Sequence, residues 1–332
     1  MSSEKYRAAV IGCGRIGLSL AEDRRRPKPA SHAEAYNLHP RTELVGLVEK
    51  NPLRQVVARR LFPGVPIFET SNELFATMVP DIVSIATWHN THYSEVLRAA
   101  QARVPIVICE KPLAISICEG QEMIAACAAS GSLLFVNHSR RFDPVLAGIR
   151  RDIKSGKLGK VYQVTGWYAG GIKSIGTHLV DFLIYLFGDA IECWGRRNPL
   201  THSSSTEDFA VDAMLEFEDG VRACLQSTDI SQYGIFEIRL LGERGELFIR
   251  DSGRIVEFTE VKPSPIYDRF SELSYAERTT IQTTPDGLLF HLIQNAVDCL
   301  DKTAPPISTG MDALTALCLV ERLCSENYWP RK

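Results

Sequence analysis

Four apolar residues, Ile106-Val107-Ile108-Cys109, run directly into Glu110-Lys111-Pro112. Such a short, β-branched apolar run predicts a strand buried on both faces, the kind found inside parallel sheets. Pro112 pushes Lys111 toward extended backbone and cannot donate to a sheet ladder. The strand must therefore stop here, with a lysine at its carboxyl end. In open α/β sheets that edge is where ligands bind. A cation there can meet a carbonyl oxygen, a hydroxyl or a phosphate. On these residues alone, a solvated Glu110–Lys111 pair closing the strand is an equal reading.

The surrounding chain repeats the same grammar. Ala8-Ala9-Val10-Ile11 reads as a strand that enters Gly12-Cys13-Gly14-Arg15-Ile16-Gly17, then Leu18 and Leu20. A G-x-G-x-x-G between a strand and a helix permits a tight turn and close backbone approach to a pyrophosphate. Gly12, Gly14, Arg15, Ile16 and Gly17 are thus candidate cofactor-binding positions; a plain tight turn is the simpler alternative. A second strand, 43–48, ends at Glu49, an acid placed to meet ribose hydroxyls and repel a 2′-phosphate. It lies 32 residues past Gly17, beyond the usual spacing of about 20. The basic stretch from Asp23 to Pro29 fills the excess and is expected to be a solvated loop. Glu49 favours NAD, and the adjacent Lys50 leaves NADP open.

Helices are expected over 52–61, 71–78, 92–101 and 116–130, with strands at 65–68, 82–86 and 133–136. Ser31 is placed to cap a short helix through Tyr36. Strands alternating with helices over the first part of the chain make a doubly wound parallel sheet. Ile82-Val83-Ser84-Ile85-Ala86 ends in Thr87-Trp88-His89-Asn90-Thr91-His92. Thr87 and His92 there are cofactor-lining candidates. The cluster lacks an identifiable third ligand, so no metal site is expected.

At 332 residues the chain exceeds one typical core, and two domains are expected. The periodicity changes near residue 140, giving a dinucleotide-binding domain over 1–139 and an α+β domain over 140–332. The second domain reads as helices 144–154 and 178–187, strands 160–169, 209–217, 221–228, 235–241 and 245–250, and closing helices 286–301 and 311–328. Asp219-Gly220 marks a hairpin turn. Segment 267–285 reads as a polar loop without periodicity, a candidate lid. The fold class is α/β: a Rossmann sheet plus an α+β domain with a large, mostly antiparallel open sheet. The uncovered face of that sheet predicts self-association.

A net charge of −3 gives no reason to expect nucleic acid or an anionic membrane as partner. No apolar run approaches the ~20 residues that span a bilayer. Nine scattered cysteines form no C-x-x-C pair, which excludes zinc-ribbon spacing and suits a reducing, cytoplasmic setting.

Oxidising an alcohol needs a base for the hydroxyl proton and a group that holds the oxygen. Lys111 is the candidate on the dinucleotide side. Gly176-Thr177-His178-Leu179-Val180-Asp181 supplies the other. His178 opens a helix, whose positive end favours neutral imidazole, and Asp181 follows at i+3 on the same face. A buried structural histidine capped by Asp181 is the alternative. Ser174 could donate to substrate, and Arg141 is a further substrate-binding candidate.

Taken together, the Gly12–Gly17 turn, Ala86-Thr87 with His92, Glu110-Lys111-Pro112, Arg140-Arg141-Phe142-Asp143-Pro144, Gly176-x-His178-x-x-Asp181 and Gly310-Met311-Asp312-Ala313-Leu314 resemble the glucose–fructose oxidoreductase/inositol dehydrogenase (Gfo/Idh/MocA) family over essentially the whole chain. The resemblance implies NAD(P)-dependent redox at a carbinol or carbonyl of a sugar, cyclitol or sugar derivative. It implies Lys111 beside nicotinamide and substrate, with Glu110 among the cofactor-lining residues and a commonly cis lysine–proline bond. It implies His178 as the proton carrier and homodimers or homotetramers built through the second sheet. Family dehydrogenases carry an aspartate four residues before that histidine, where this chain has Ser174. A serine brings no negative charge to a protonated lysine or histidine. A non-catalytic NAD-binding regulator and an NAD-assisted hydrolase or lyase of the same fold are the alternative functions.

Overall fold

The structure is a computed structural model that describes residues 5–201, 208–283 and 287–325. It divides into two compact units, Met1–Phe142 with Asp286–Leu317, and Asp143–Pro285 with Cys318–Lys332. Neither is a single stretch of chain. The expectation had assigned everything beyond residue 139 to the second domain; segment 286–317 instead clusters with the first unit.

The first unit is built on strands β1 (Tyr6–Ile11), β2 (Thr42–Val48), β3 (Ile67–Phe68), β4 (Ile82–Ile85), β5 (Ile106–Cys109) and β6 (Leu133–Val136). Their order in the sheet is β3-β2-β1-β4-β5-β6, and every pairing is parallel. β4 and β5 are buried throughout, as continuous apolar runs in a two-sided sheet must be. The helices between them start where side-chain acceptors meet free N–H groups. Ser31 caps α1 (His32–Leu38) through the Glu34 N–H, and Asn51 caps α2 (Pro52–Leu61) through the Leu53 and Arg54 N–H groups. Thr70 caps α3 (Ser71–Thr77). α4 spans His92–Gln101. Ser116 caps α5 (Ile117–Ser130), which stops at the left-handed Gly131.

One expected helix is missing. After Gly17 the chain makes only a single 3₁₀ turn, Ser19–Glu22. The basic stretch that follows is largely exposed. Its charges pair locally, Arg26 with Asp23 at 3.4 Å and Lys28 with Glu34 at 3.5 Å. α1 takes over the missing helix's role: the His32 and Ala33 N–H groups donate to the carbonyls of Ile16 and Gly17 at 2.9 and 3.0 Å.

The second unit begins with α6 (Pro144–Lys154), capped by Asp143. β7 (Val161–Ala169) leads through a π-turn, Ile172–Gly176, into α7 (Thr177–Phe187). β8 (Ala190–Arg197), β9 (Val211–Phe217), β10 (Arg222–Thr228), β11 (Phe236–Gly242), β12 (Gly245–Arg250), β13 (Ile255–Pro263), β14 (Ser271–Leu273) and β15 (Thr279–Gln282) follow. They form a nine-stranded sheet in the order β14-β13-β12-β11-β7-β10-β9-β8, with β15 also on β13. Only β7–β10 is parallel; the other pairings are antiparallel. β9 and β10 form the expected hairpin, with Gly220 at φ +75°. Segment 267–285, expected as an unstructured loop, carries β14 and β15 on the edge of β13; its end at Pro285 lies outside the described residues. β8 and β13 were also unexpected. α7 covers one face of the sheet so closely that a Cβ on Gly166 would fall 2.8 Å from the Leu179 side chain.

Two helices close the chain, α8 (Leu288–Leu300) and α9 (Gly310–Cys324). The expected end of the last helix at Tyr328 lies outside the described residues. Leu289, Leu292, Ile293 and Val297 of α8 join Ala8, Val10, Tyr36 and Phe135 in the first unit's core. The link before α9 bonds to β6, Val136 N–H to Ser308 O at 3.1 Å and Ser308 Oγ to Val136 O at 2.8 Å. Among the described residues no helix is long and apolar enough to cross a membrane.

His92, at the start of α4, ties two strand ends together. Its Nδ1 lies 2.9 Å from Pro112 O and its Nε2 3.3 Å from Thr87 O. Burial pushes its pKa below the ordinary value, against the two carbonyls that favour the charged ring. The folded state therefore resists a proton that the unfolded chain accepts below about pH 6.5. The stabilisation from neutral His92 is present above that pH and is lost as pH falls. Urea midpoints are expected to fall between pH 7.5 and 5.5, at up to about 1.4 kcal/mol per pH unit for one linked proton. His92→Gln should flatten that slope, leaving the part contributed by His39, also lowered by burial.

Candidate active site

The turn after β1 has the geometry that close ligand approach demands. Gly12 sits at φ +98°, and a Cβ on it would lie 2.8 Å from Ala86 O. A Cβ on Gly17 would lie 1.9 Å from Gly12 O, so only glycine closes the turn. Gly14 differs: its Cβ would meet only Ala86 O, at 4.0 Å, leaving open space at the sheet's edge. Among the described residues, the N–H groups of Gly14, Arg15 and Ile16 donate to no backbone carbonyl. A turn left open at Gly14 and lined by available N–H groups fits a pyrophosphate.

Glu49, at the end of β2, reaches this turn despite its long sequence separation. Its Oε2 accepts from Cys13 N–H at 3.0 Å, and its Oε1 from Asn51 N–H at 2.9 Å. The carboxylate is nearly buried, with Arg54 Nη1 at 3.9 Å. Glu49 thus ties the glycine turn to the start of α2, and a carboxylate has further lone pairs for hydroxyl donors.

β5 brings Glu110 and Lys111 to the same edge. The Lys111–Pro112 bond is cis. Lys111 is half-buried and Glu110 is buried. Glu110 Oε1 lies 2.8 Å from His32 Nε2 and accepts from Asn137 Nδ2 at 2.7 Å. Burial pushes the Glu110 carboxyl up, but the His32 and Asn137 contacts and the Lys111 charge outweigh it and hold it below the ordinary value. Thr87, half-buried at the end of β4, accepts from Thr91 Oγ1 at 2.8 Å.

Arg141 is buried, with Nη1 2.9 Å from Asp312 Oδ1. Burial raises the Asp312 pKa, yet the Arg141 charge and the Thr309 hydrogen bonds bring it below the ordinary value. The Arg141 guanidinium therefore anchors Asp312, at the start of α9, within the first unit.

In the second unit, His178 is the second residue of α7 and half-buried, and Asp181, one turn on, is buried. Ser174 lies in the π-turn before them. The Lys173 and Ser174 N–H groups donate to Asp208 Oδ1 and Oδ2 at 2.7 and 3.1 Å. Gly171 makes room, since a Cβ on it would lie 2.1 Å from that carboxylate. Asp208 thus brings a carboxylate to the turn where the resemblance leads one to expect an aspartate at position 174. Nothing local in the sequence marks Asp208; His32 and Asn137 likewise stand alone in sequence and meet Glu110 only in the fold.

The chain matches two models of one family: "oxidoreductase family, NAD-binding Rossmann fold" over residues 6–138, and the GFO/IDH/MocA C-terminal domain over residues 168–248. It is 24% identical to D-apiose dehydrogenase of Paraburkholderia graminis, covering 96% of this chain and 86% of that protein. It is 25% identical to myo-inositol 2-dehydrogenase of Thermotoga maritima, covering 94% and 93%. Its fold is similar to the WlbA dehydrogenase of Bordetella pertussis in complex with NADH and UDP-GlcNAcA, at TM-score 0.76 and 22% identity, over 96% of each chain. With a glycine turn that fits a dinucleotide, a lysine at the end of β5 and both domain models matched, the chain belongs to the Gfo/Idh/MocA oxidoreductase family, whose N-terminal domain is an NAD-binding Rossmann fold.

Proposed function

We propose that this chain is an NAD-dependent dehydrogenase or reductase of a hydroxyl or carbonyl carbon on a sugar, cyclitol or sugar derivative. The observation that carries the reading is Lys111 at the carboxyl end of β5, on the edge that also holds the glycine turn. The first unit would hold the dinucleotide and the second would bind substrate. Gly14, Arg15 and Ile16 would take the pyrophosphate through backbone N–H groups, with Gly12 and Gly17 closing the turn around it, and Glu49 would take the adenosine ribose, its charge favouring NAD over NADP. Thr87, His92 and Glu110 would shape the wall beside the nicotinamide.

NAD, when bound, supplies the hydride acceptor, so oxidation leaves one proton for the protein to remove. Lys111 holds the reacting oxygen and stabilises the charge that develops on it. His178 takes the hydroxyl proton and returns it in the reverse direction. Asp181 fixes the imidazole, Ser174 donates to a substrate hydroxyl, and Arg141 supports the substrate side from within the fold. The Asp208 carboxylate supplies the negative charge that Ser174 lacks.

Self-association is the second element of the reading. On the sheet face away from α7, Trp167, Glu237, Phe248 and Tyr233 line a shallow depression, and Trp167 Nε1 donates to Gln226 Oε1 at 2.9 Å. An aromatic, partly charged surface of this kind suits an interface between copies, as a homodimer or homotetramer. All nine cysteines are free, which accords with work in the cytoplasm.

A nicotinamide-absorbance screen over pentoses, hexoses and inositols should find turnover, and Lys111→Ala and His178→Ala should each lower kcat/KM by about 10²–10⁴-fold. NADH affinity should change little. Turnover surviving both changes overturns the roles, and tight NADH binding with no turnover on any substrate favours a cofactor-binding regulator. Light scattering should give a dimer or tetramer that Phe248→Glu weakens; a stable wild-type monomer removes the interface.

A further inference from the structure

A chain of buried polar groups runs beneath the edge that carries Lys111. Glu110 Oε1 meets His32 Nε2 at 2.8 Å, His32 Nδ1 meets Ser84 Oγ at 3.0 Å, and Ser84 Oγ meets Tyr36 Oη at 2.7 Å. His32, Ser84 and Tyr36 are wholly buried. The directions of the bonds follow from chemistry. Ionised Glu110 only accepts, so His32 Nε2 donates to it. Where Ser84 donates its one hydroxyl proton to His32 Nδ1, it accepts from Tyr36 in turn. In that arrangement every member has a partner, which is what makes such a network rigid.

The same histidine is tied to the glycine turn through its backbone. The His32 N–H donates to Ile16 O at 2.9 Å, and the next N–H, of Ala33, to Gly17 O at 3.0 Å. One residue therefore grips the turn that fits a pyrophosphate with its main chain, and the residue before Lys111 with its side chain. A core helix packed only by apolar contacts would fix neither bond direction nor register.

We propose that His32, acting through Glu110, is a positioning residue that holds Lys111 in register with the bound dinucleotide. The inference rests on the reading of Lys111 as the group beside the nicotinamide. His32 touches neither substrate nor cofactor in this role. It sets the distance between two groups that do.

The test reads Lys111 directly and needs no known substrate. Reductive methylation with ¹³C-formaldehyde gives each lysine an NMR signal, and the Lys111 signal is assigned by its loss in Lys111→Arg. Titrating NAD⁺ into wild-type protein should move it. His32→Leu keeps volume but breaks both side-chain bonds; it should lose roughly half or more of that movement at saturating NAD⁺ while Kd stays within about threefold. His32→Gln, which restores a donor toward Glu110, should recover most of it. If His32→Leu does not fold, Ser84→Ala, which frees the far ring nitrogen, is read the same way and should lose part of the movement. A full wild-type movement in His32→Leu, or in Ser84→Ala where that variant stands in, overturns the proposal. A wild-type Lys111 signal that NAD⁺ does not move overturns the reading beneath it, whatever the variants do.

Discussion

A carboxylate taken out of water needs partners, and Glu110 is the place where this fold meets that demand. The effective penalty for burying an ion is several kcal/mol, and here two donors on one oxygen, from His32 and Asn137, offset it. Those donors come from α1 and from the residue after β6, so satisfying one charge ties three elements together. Ser84 and Tyr36 extend the tie to the middle of β4. Lys111 follows Glu110 directly in the chain, so the ammonium on this edge rides on a closely held neighbour. Sites on rigid elements hold geometry better than sites on loops.

Glu49 repeats the device at the neighbouring strand end. It too is an acid at the carboxyl end of a strand, and it too accepts from backbone N–H groups, one of them in the glycine turn. The two carboxylates differ in what they leave over. Glu49 lies beside the turn with lone pairs to spare for hydroxyl donors, whereas Glu110 is enclosed by side-chain partners. An acid that forms part of a wall and an acid that meets a ligand can look alike in sequence and differ in their neighbours.

That distinction marks how far the sequence could be read. Apolar runs such as 82–85 and 106–109 announced the parallel sheet, because burial on both faces leaves no room for polar alternation. The cap at Ser31 was legible because capping is local. The glycine turn and the lysine before Pro112 were visible for the same reason. The helix expected after Gly17 failed because α1 supplies the needed contacts from beyond the basic loop. β14 and β15 were missed because exposed edge strands bury neither face and show no alternation. His32, Asn137 and Asp208 act through partners 78, 27 and 34 positions away, and no spacing rule connects such residues. The assignment of 286–317 to the first unit was hidden because an amphipathic helix shows that it has an apolar side, without naming the surface it covers.

The composition of the first unit also bears on how the molecule is made. Leu292, Ile293 and Val297 fill the same core as Val10 and Phe135, yet they belong to α8, near the end of the chain. A ribosome releases the six parallel strands long before it releases the residues that complete their core. The nascent Rossmann half must therefore wait, with apolar surface uncovered, until the 143–285 stretch of the second unit has been synthesised. For this protein, translation and folding of the N-terminal half cannot finish together, and that interval is when chaperone capture or misassociation would act.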